Sequence, residues 1–228
     1  MQSENSAAGK VGSAQYQTLF TQRGAQVVYN ETNFPTTAGV DVTPYVQAML
    51  AAKPNIVEIS TPFNDVGPIV AGLRAGGYTG ISFDFTNYIP GLLASSAQLA
   101  QVLQGEYVNT QVVPQEENTP WVQQEVSDLT ASGQKPFLTE GGAIAFAEAE
   151  LFVEQLQAVG KTLDTKTFDT TVNGGSFTSF DKITGGPGVL KWPAAHLLGA
   201  DCAAVLKISG TSYTVVTPFA CYQSLKIF

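Results

Sequence analysis

The sequence predicts an α/β fold, a doubly wound parallel sheet followed by a C-terminal β-hairpin. In the first two thirds of the chain, short β-branched runs alternate regularly with amphipathic segments of about ten residues, which is typical of βαβ units with right-handed crossovers. Near the C-terminus, two β-rich runs flank Gly210-Thr211, which is typical of a hairpin.

The elements of the first half are marked by their boundary residues. VGSAQYQTLFTQRG has apolar residues at helical spacing and ends at Gly24, and the strand AQVVYNETNF (25–34) follows it. Asp41 stands where an N-cap belongs and Pro44 stands in a first helical turn, so a helix is predicted there, and Pro54 ends it. The run NIVEIS is the next strand.

The same alternation then repeats. DVGPIVAGLRAGG is predicted to be a helix with Asp65 as its N-cap, followed by the strand TGISFDFT, the short helix SSAQLAQVL and the strand GEYVNTQVV. Beyond Pro114 we expect a loop, a short helix and a long helix over residues 138–159. A Gly/Thr/Ser-rich segment with little helix potential follows. Much of the long helix surface is apolar, so we expect this helix to cover a layer missing from the chain.

Composition and charge exclude several classes of partner. Hydrophobic residues make up 44% of the chain and charged residues 13%, which is too apolar for a disordered protein. The net charge of −8 repels a phosphate backbone, so a nucleic-acid partner is excluded. No apolar run reaches the roughly 20 residues that cross a bilayer, and the N-terminal residues lack the apolar core of an export signal.

Two cysteines bracket the predicted hairpin. A register that places Ser209 opposite Thr214 also places Cys202 opposite Cys221, within the range that a disulfide tolerates. The alternative is a pair of reduced, buried thiols. A disulfide would indicate an oxidising, extracytoplasmic compartment.

The residues offer no coherent catalytic set. His196 is the only histidine and has no free nucleophile motif near it, so we interpret it as a structural residue. Glu148 and Glu150 fall on a helix where a solvated face is expected. No phosphate-binding loop and no cluster of metal ligands is present, and we expect neither a cofactor nor enzymatic activity.

Two loops at the carboxyl ends of predicted strands form the candidate binding site. Ligands bind at this edge in open α/β sheets, and hydroxyls, backbone groups and aromatic rings suit a small polar solute. The candidate ligand-binding residues are Ser60, Thr61, Phe63, Asp84, Phe85 and Thr86. A structural alternative makes Asp65 an N-cap and Phe63 a lid on the core.

These residues resemble a known family. GAQVVYNETNFPTTAGVDVTPYVQAMLAAKPNIVEIS and DVGPIVAGLRAGGYTG, in this order and spacing, resemble the type I periplasmic solute-binding proteins of ABC importers, in particular the branched-chain (Leu/Ile/Val) amino-acid receptors. The resemblance runs over essentially the whole chain and corresponds to the C-terminal two thirds of such a receptor. The terminal WPAAH…DCAAVLKISGTSYTVVTPFAC resembles the tail of one branch of the family, which favours the disulfide.

The resemblance implies two α/β lobes that close on a ligand, with part of the first lobe outside this chain. Residues 1–115 would form the second lobe, residues 116–170 a helical portion of the incomplete first lobe, and residues 171–228 a return segment and the hairpin. The rest of the first lobe, or a second chain, would then cover the apolar surface.

The resemblance also suggests roles for the candidate residues. The receptors have an aromatic residue after the second of these strands, a place that Phe63 could fill. They have a ligand-binding carboxylate after the third, at a place near Thr86, which cannot neutralise an ammonium group. Asp84 lies two residues away with the same strand facing, and this departure weakens the inference of an α-amino-acid ligand.

The expected function is that of a non-catalytic substrate-binding component of an ABC-type importer, which binds an amino acid or related carboxylate and presents it to a membrane permease. The alternative is an extracytoplasmic ligand-sensing domain built on the same clamp. Either would place the protein in the periplasm or outside the cell, with membrane association left open.

Overall fold

A computed structural model describes residues 1–37, 39–84, 87–137, 139–180, 189–194 and 202–221. The strands are β1 (Gln2–Glu4), β2 (Glu31–Phe34), β3 (Ile56–Ser60), β4 (Ile81–Asp84), β5 (Tyr107–Thr110), β6 (Thr178–Phe180), β7 (Val189–Lys191), β8 (Cys202–Ser209) and β9 (Ser212–Cys221). The helices are α1 (Ala7–Gln22), α2 (Thr43–Ala51), α3 (Phe63–Ala75), α4 (Pro90–Ser95), α5 (Ala97–Val102), α6 (Pro120–Ala131), α7 (Glu140–Val159) and α8 (Thr165–Asn173), with a 3-10 turn at Gln115–Glu117. No helix in these ranges combines the length and the apolar character that crossing a membrane requires.

The main sheet has seven strands in the order β2-β1-β3-β4-β5-β8-β9. Strands β1 to β5 are parallel to one another, whereas β8 and β9 run antiparallel to their neighbours. The order reverses between β1 and β3, because the chain first adds β2 on one side of β1 and then crosses back to add β3 on the other. This arrangement confirms the predicted doubly wound sheet with a C-terminal hairpin.

The two faces of the parallel sheet are covered by different helices. Side chains alternate between faces along a strand, and Val57 and Ile59 of β3 pack against α2 and α3 in a core of apolar side chains. The opposite face carries Glu58 of β3 and its register partner Phe83 of β4, and it meets Phe20 of α1.

A second core joins the hairpin to the helices that follow β5. Leu206 of β8 and Val108 of β5 are buried together with Phe137 and Ala143, the latter in the first turns of α7. The start of α7 is also tied to the end of β5, since the Glu140 carboxylate accepts hydrogen bonds from the Gln111 backbone amide at 2.6 Å and the Thr110 hydroxyl at 3.0 Å.

The hairpin forms with a register that differs from the predicted one near its turn. Ser209 lies opposite Ser212 rather than Thr214, because Gly210-Thr211 is a two-residue loop in which Gly210 adopts a φ of +61°. Two irregularities further along the ladder shift the register again and bring Cys202 opposite Cys221. The disulfide between them is formed.

Five elements of the described residues were not predicted, namely β1, α4, α8, β6 and β7, and one predicted strand is shortened. β1 lies within polar residues that the sequence did not mark as a strand, and α8 occupies a Thr-rich stretch that begins before the segment judged poor in helix potential. The predicted strand over 25–34 is a strand only at Glu31–Phe34, because the short β1 offers a partner to that part alone.

The long helix α7 keeps part of its apolar surface exposed. Phe152 is 53% exposed and Val153 lies beside it, while the side chains that α7 buries are Ala143, Ala147 and Gln155. Phe152 contacts Phe168 of α8, with ring centroids 6.2 Å apart. The helix pair therefore presents an apolar face to solvent within the described residues. That a further layer covers this face stays a prediction.

Replacement of both cysteines by serine is expected to lower the free energy of unfolding by about 2–4 kcal/mol, because the disulfide closes a loop with a sequence separation of 19 residues. Urea unfolding with and without reductant checks this. Reductant should lower the midpoint of the parent, whose Cys221 is exposed, and leave the serine variant unchanged. A parent midpoint that does not respond to reductant would contradict the prediction.

Candidate functional site

The carboxyl ends of β1 and β3 form a crevice at the point where the strand order reverses. The chain leaving β1 enters α1 on one face of the sheet, and the chain leaving β3 enters α3 on the other. The two helices therefore diverge, and their N-termini both lie at this edge. In doubly wound sheets such a crevice is where ligands bind.

The turn from β3 into α3 supplies three of the predicted site residues. Ser60 ends β3 and is half-buried, Thr61 is buried, and Phe63 begins α3 with its ring 37% exposed. Pro62 is the N-cap and provides no side-chain hydrogen bond to the first turn. Open backbone N–H groups, a hydroxyl and an aromatic ring thus meet at one place on the rim.

The Thr61 hydroxyl is buried without a hydrogen-bond partner in the described part of the chain. A buried hydroxyl that forms no hydrogen bond costs stability, and such a group is uncommon in native proteins unless it serves another purpose. Its position directly after β3, at the reversal of strand order, makes it a candidate contact for a polar solute.

Asp65 is not the N-cap that the sequence suggested. It lies in the first turn of α3, three residues beyond the cap Pro62, and its carboxylate accepts a hydrogen bond from the Gly39 backbone amide at 2.9 Å. The residue therefore ties the β2–α2 connection to α3. Its negative charge is favourable near a helix N-terminus.

The turn from β1 into α1 is a part of the crevice that sequence reasoning missed. Ser6 caps α1 by accepting a hydrogen bond from the Gly9 amide at 2.8 Å, and its hydroxyl donates to the Glu4 carboxylate at 2.7 Å. A Cβ at Gly9 would lie 2.3 Å from the Glu4 carbonyl oxygen, so only glycine allows this close approach. The N-cap pattern of Ser6 ahead of AAG was the available signal.

The loop after β4 is held from below by the C-terminal hairpin. The Tyr213 hydroxyl accepts a hydrogen bond from the Ile89 amide at 3.0 Å and donates to the Asn87 carbonyl. The Asn87 side chain in turn donates to Glu106 at 3.1 Å. All of these groups are buried, so residues 87–89 are fixed by hydrogen bonds, and the loss of any partner would be costly.

Asp84 lies at the end of β4 beneath this loop, with 0% of its surface exposed. Its register partner in β3 is Ile59, which faces α2 and α3 rather than open solvent. This enclosure argues against direct contact between Asp84 and a solute. The buried Asp84 charge does affect Glu106, because burial first and Asp84 second raise the pKa of Glu106 well above its ordinary value.

The remaining sequence candidates fall outside this arrangement. Phe85, Thr86 and His196 lie outside the described residues. Glu150 accepts a hydrogen bond from the Trp121 indole at 3.0 Å, and Glu148 is exposed on the same helix. Glu150 therefore helps to join α6 to α7.

A groove of about 440 Å³ runs between α3 and α5 next to the rim. Phe63 and Asn87 line its rim end, while Pro68, Leu99 and Val102 line its walls. Phe63 therefore stands between the crevice and an apolar groove, where an aromatic or aliphatic group would find contact.

The buried acid Glu106 predicts how stability depends on pH. At pH values below the pKa that Glu106 has in the unfolded chain, Glu106 is protonated in both states and does not make the free energy of unfolding depend on pH. As pH rises through that value to the raised pKa of the folded state, the unfolded chain ionises first and stability falls. Each pKa unit between the folded and unfolded states lowers the free energy of unfolding by about 1.4 kcal/mol.

The Glu106→Gln variant can keep the hydrogen bond from Asn87 but has no group that titrates at this position. Its free energy of unfolding should therefore fall less than that of the parent between pH 5 and pH 8. Urea unfolding across that range checks the slope. Glu148→Gln, on an exposed surface, is the control and should follow the parent. Equal slopes for Glu106→Gln and the parent would contradict the assignment.

Known structures share this fold over nearly the whole chain. A solute-binding protein of an ABC transporter from R. palustris in complex with benzoate superposes with a TM-score of 0.73 at 14% identity, covering 97% of this chain and 59% of that one. A branched-chain amino-acid ABC transporter protein from Thermus thermophilus with bound valine gives 0.72 at 16% identity, with coverage of 97% and 59%. A fatty-acid ABC transporter substrate-binding protein from Thermomonospora curvata gives 0.77 at 14% identity, with coverage of 97% and 57%.

The chain therefore spans less than two thirds of the length of these relatives. No curated protein is a significant sequence match to it. The sequence profile of the periplasmic binding protein family, by contrast, matches residues 1–211. Together with the doubly wound sheet and the resemblance in its motifs, this match shows that the chain belongs to the periplasmic binding protein family, whose members are non-catalytic solute-binding proteins.

Proposed function

We propose that this chain is the larger part of a substrate-binding component of an ABC-type importer, and that it binds an amino acid or a related organic carboxylate at the carboxyl rim of the sheet. The observation that carries the proposal is the crevice between β1 and β3, where the exposed side chain of Phe63 lies beside the Thr61 hydroxyl, which has no hydrogen-bond partner in the part of the chain that the structure describes. Family membership supports the same reading.

The proposed contacts follow from the chemistry of the rim. Thr61 and the backbone amides that open α3 would bond polar atoms of the solute, with Ser60 beside them, and Phe63 would pack against its apolar part. The relatives bind valine, benzoate and a fatty acid according to their descriptions. A carboxylate joined to an apolar group is common to these solutes and suits the same combination of groups.

Because its side chain is enclosed, Asp84 would act on the rim through its charge and not through direct contact with the solute. The ammonium partner of an amino acid, if the solute carries one, would then come from another group. Binding of benzoate, an apolar carboxylate without an ammonium group, should therefore be compared with binding of valine.

The proposal extends to the architecture of the whole binding protein. Residues 1–115 with the returning hairpin would form one lobe, and residues 116–170 would contribute helices to the other, whose remaining part would cover the exposed face of α7. The closed lobes would dock on a membrane permease. A periplasmic or extracellular location accords with the family and with the disulfide.

Isothermal titration calorimetry with valine, benzoate, 4-hydroxybenzoate and octanoate tests the solute class. It should be carried out on this chain and on the complete gene product where the gene encodes more. Saturable binding of at least one of these solutes is expected. Failure of every solute on the complete gene product would contradict the proposal.

Two variants test the site. Phe63→Ala should weaken binding about tenfold, equivalent to about 1.4 kcal/mol, and Thr61→Val should weaken it roughly fivefold by removing one hydrogen bond. Because the Thr61 hydroxyl has no partner among the described residues, Thr61→Val should leave the stability of the unliganded protein unchanged or raise it.

Matched controls separate binding from general destabilisation. Val11→Ala shortens an exposed apolar side chain on α1, and Thr18→Val removes an exposed hydroxyl on α1 that bonds the Ala14 carbonyl. Both controls should bind like the parent. Unchanged affinity in both Phe63→Ala and Thr61→Val would remove the site assignment even where a solute binds.

A further inference from the structure

The groove between α3 and α5 is continuous with the candidate site at one end. Its volume of about 440 Å³ is within the range of small-molecule sites in proteins. Phe63 and Asn87 line the end that meets the rim, and Ala71 and Val102 line the opposite end. The groove therefore leads away from the rim along two neighbouring helices.

The length of the groove follows from the positions that line it on α3. Phe63 and Ala71 are eight positions apart in this helix, which corresponds to about 12 Å along the helix axis. With carbon–carbon bonds of about 1.5 Å at tetrahedral angles, an extended alkyl chain of roughly ten carbons has the same length. The groove can thus take such a chain lying parallel to α3.

Arg74 closes the groove at the end away from the rim. Its guanidinium donates hydrogen bonds to the Val102 carbonyl at 2.6 Å and to the Gln104 carbonyl, at and just after the C-terminal end of α5. Arg74 lies about one turn beyond Ala71 on α3, so it joins the two helices where the groove stops. A polypeptide segment would have to leave the groove again, whereas a small molecule can end inside it.

The lining of the groove changes from polar to apolar along its length. Because α5 ends beside Arg74, the first residues of α5 lie toward the rim. The polar residues of the lining lie there, at the starts of the two helices and after β4, and they are Asn64, Asn87, Ser96 and Gln98. Four apolar side chains form the inner walls, those of Pro68, Ala71, Leu99 and Val102. Among the described residues, no charged side chain lines the groove.

The groove is narrow where Gly67 of α3 faces α5. A Cβ at Gly67 would lie 3.4 Å from a methyl carbon of Val102, so the two helices approach each other closely at this point. Leu99 and Val102 are half-buried and offer their remaining surface to the groove. This shape fits an unbranched chain of methylene groups better than a branched or bulky group.

We propose that the groove is the subsite for the tail of an unbranched aliphatic carboxylate of about six to ten carbons. The inference rests on the proposed function, because the carboxylate stays at the rim beside Thr61 and the amides that open α3. The alkyl chain passes Phe63 and lies between the helices, with its methyl end toward Arg74. The charged head is kept out of the groove, because it would lose its hydration among uncharged side chains.

Isothermal titration calorimetry with unbranched carboxylates from butanoate to tetradecanoate tests the subsite, on this chain and on the complete gene product. The Kd should fall about twofold for each added methylene group up to about ten carbons, because the open groove buries part of each group. Beyond that length the Kd should stop falling, because Arg74 closes the groove. The stoichiometry should be one carboxylate per chain.

The variant Ala71→Phe fills the inner half of the groove with an aromatic ring. The gain from chain length should then end at about six carbons, whereas butanoate, which is too short to reach residue 71, should bind with the affinity of the parent. Ala14→Phe, on the exposed surface of α1, is the matched control and should reproduce the series of the parent. Adsorption of long chains to exposed apolar side chains elsewhere, such as Phe152, would not respond to Ala71→Phe.

The outcomes separate the subsite from the proposed function. If butanoate or benzoate binds and longer chains bring no gain, the subsite is wrong and the proposed function stands. The same series in Ala71→Phe and in the parent would also overturn the subsite. Absence of binding by every carboxylate would overturn both. A parent that sediments as a dimer, together with a monomeric Ala71→Phe, would show that a second copy occupies the groove.

Discussion

A buried parallel sheet requires that the backbone groups of every interior strand find partners on both sides, and this constraint governs the whole molecule. The chain meets it at one edge by placing β2 outside β1, and at the other by returning the β8–β9 hairpin to pair with β5. The reversal of direction that this needs creates the crevice between β1 and β3.

The alternation of helices and strands was readable from the sequence because periodicity and boundary residues agree over most elements. The helix that Pro54 ends and the strand that follows it form as expected. β1 was missed because a three-residue strand with polar letters, Gln2–Glu4, carries no periodic signal, and it is held in place by neighbours distant in sequence. The same tertiary pairing decides that only part of residues 25–34 forms a strand.

The sequence predicted where the candidate site lies along the chain, but it could not predict on which face of the sheet each of its side chains lies. β3 ends where the sequence places its end, with Thr61 and Phe63 directly after it, and their role in binding stays a prediction. Asp84 follows its strand in the same manner, yet it points into the face that α2 and α3 cover. No local pattern distinguishes these cases, since the face of a strand that becomes buried depends on which helices cover it. Asp65 shows the same limit, because its hydrogen bond to Gly39 depends on a separate loop.

The hydrogen bonds of Tyr213 join residues that are 124 and 126 positions apart in the chain. Contacts between residues this far apart form late in folding, because closing the long intervening loop costs chain entropy before the contact contributes any stability. During synthesis the β4 loop is made early, but its anchor arrives only when the hairpin emerges and docks on β5. One end of the proposed binding rim is thus assembled after the rest, and its formation is coupled to the docking of the β8–β9 hairpin.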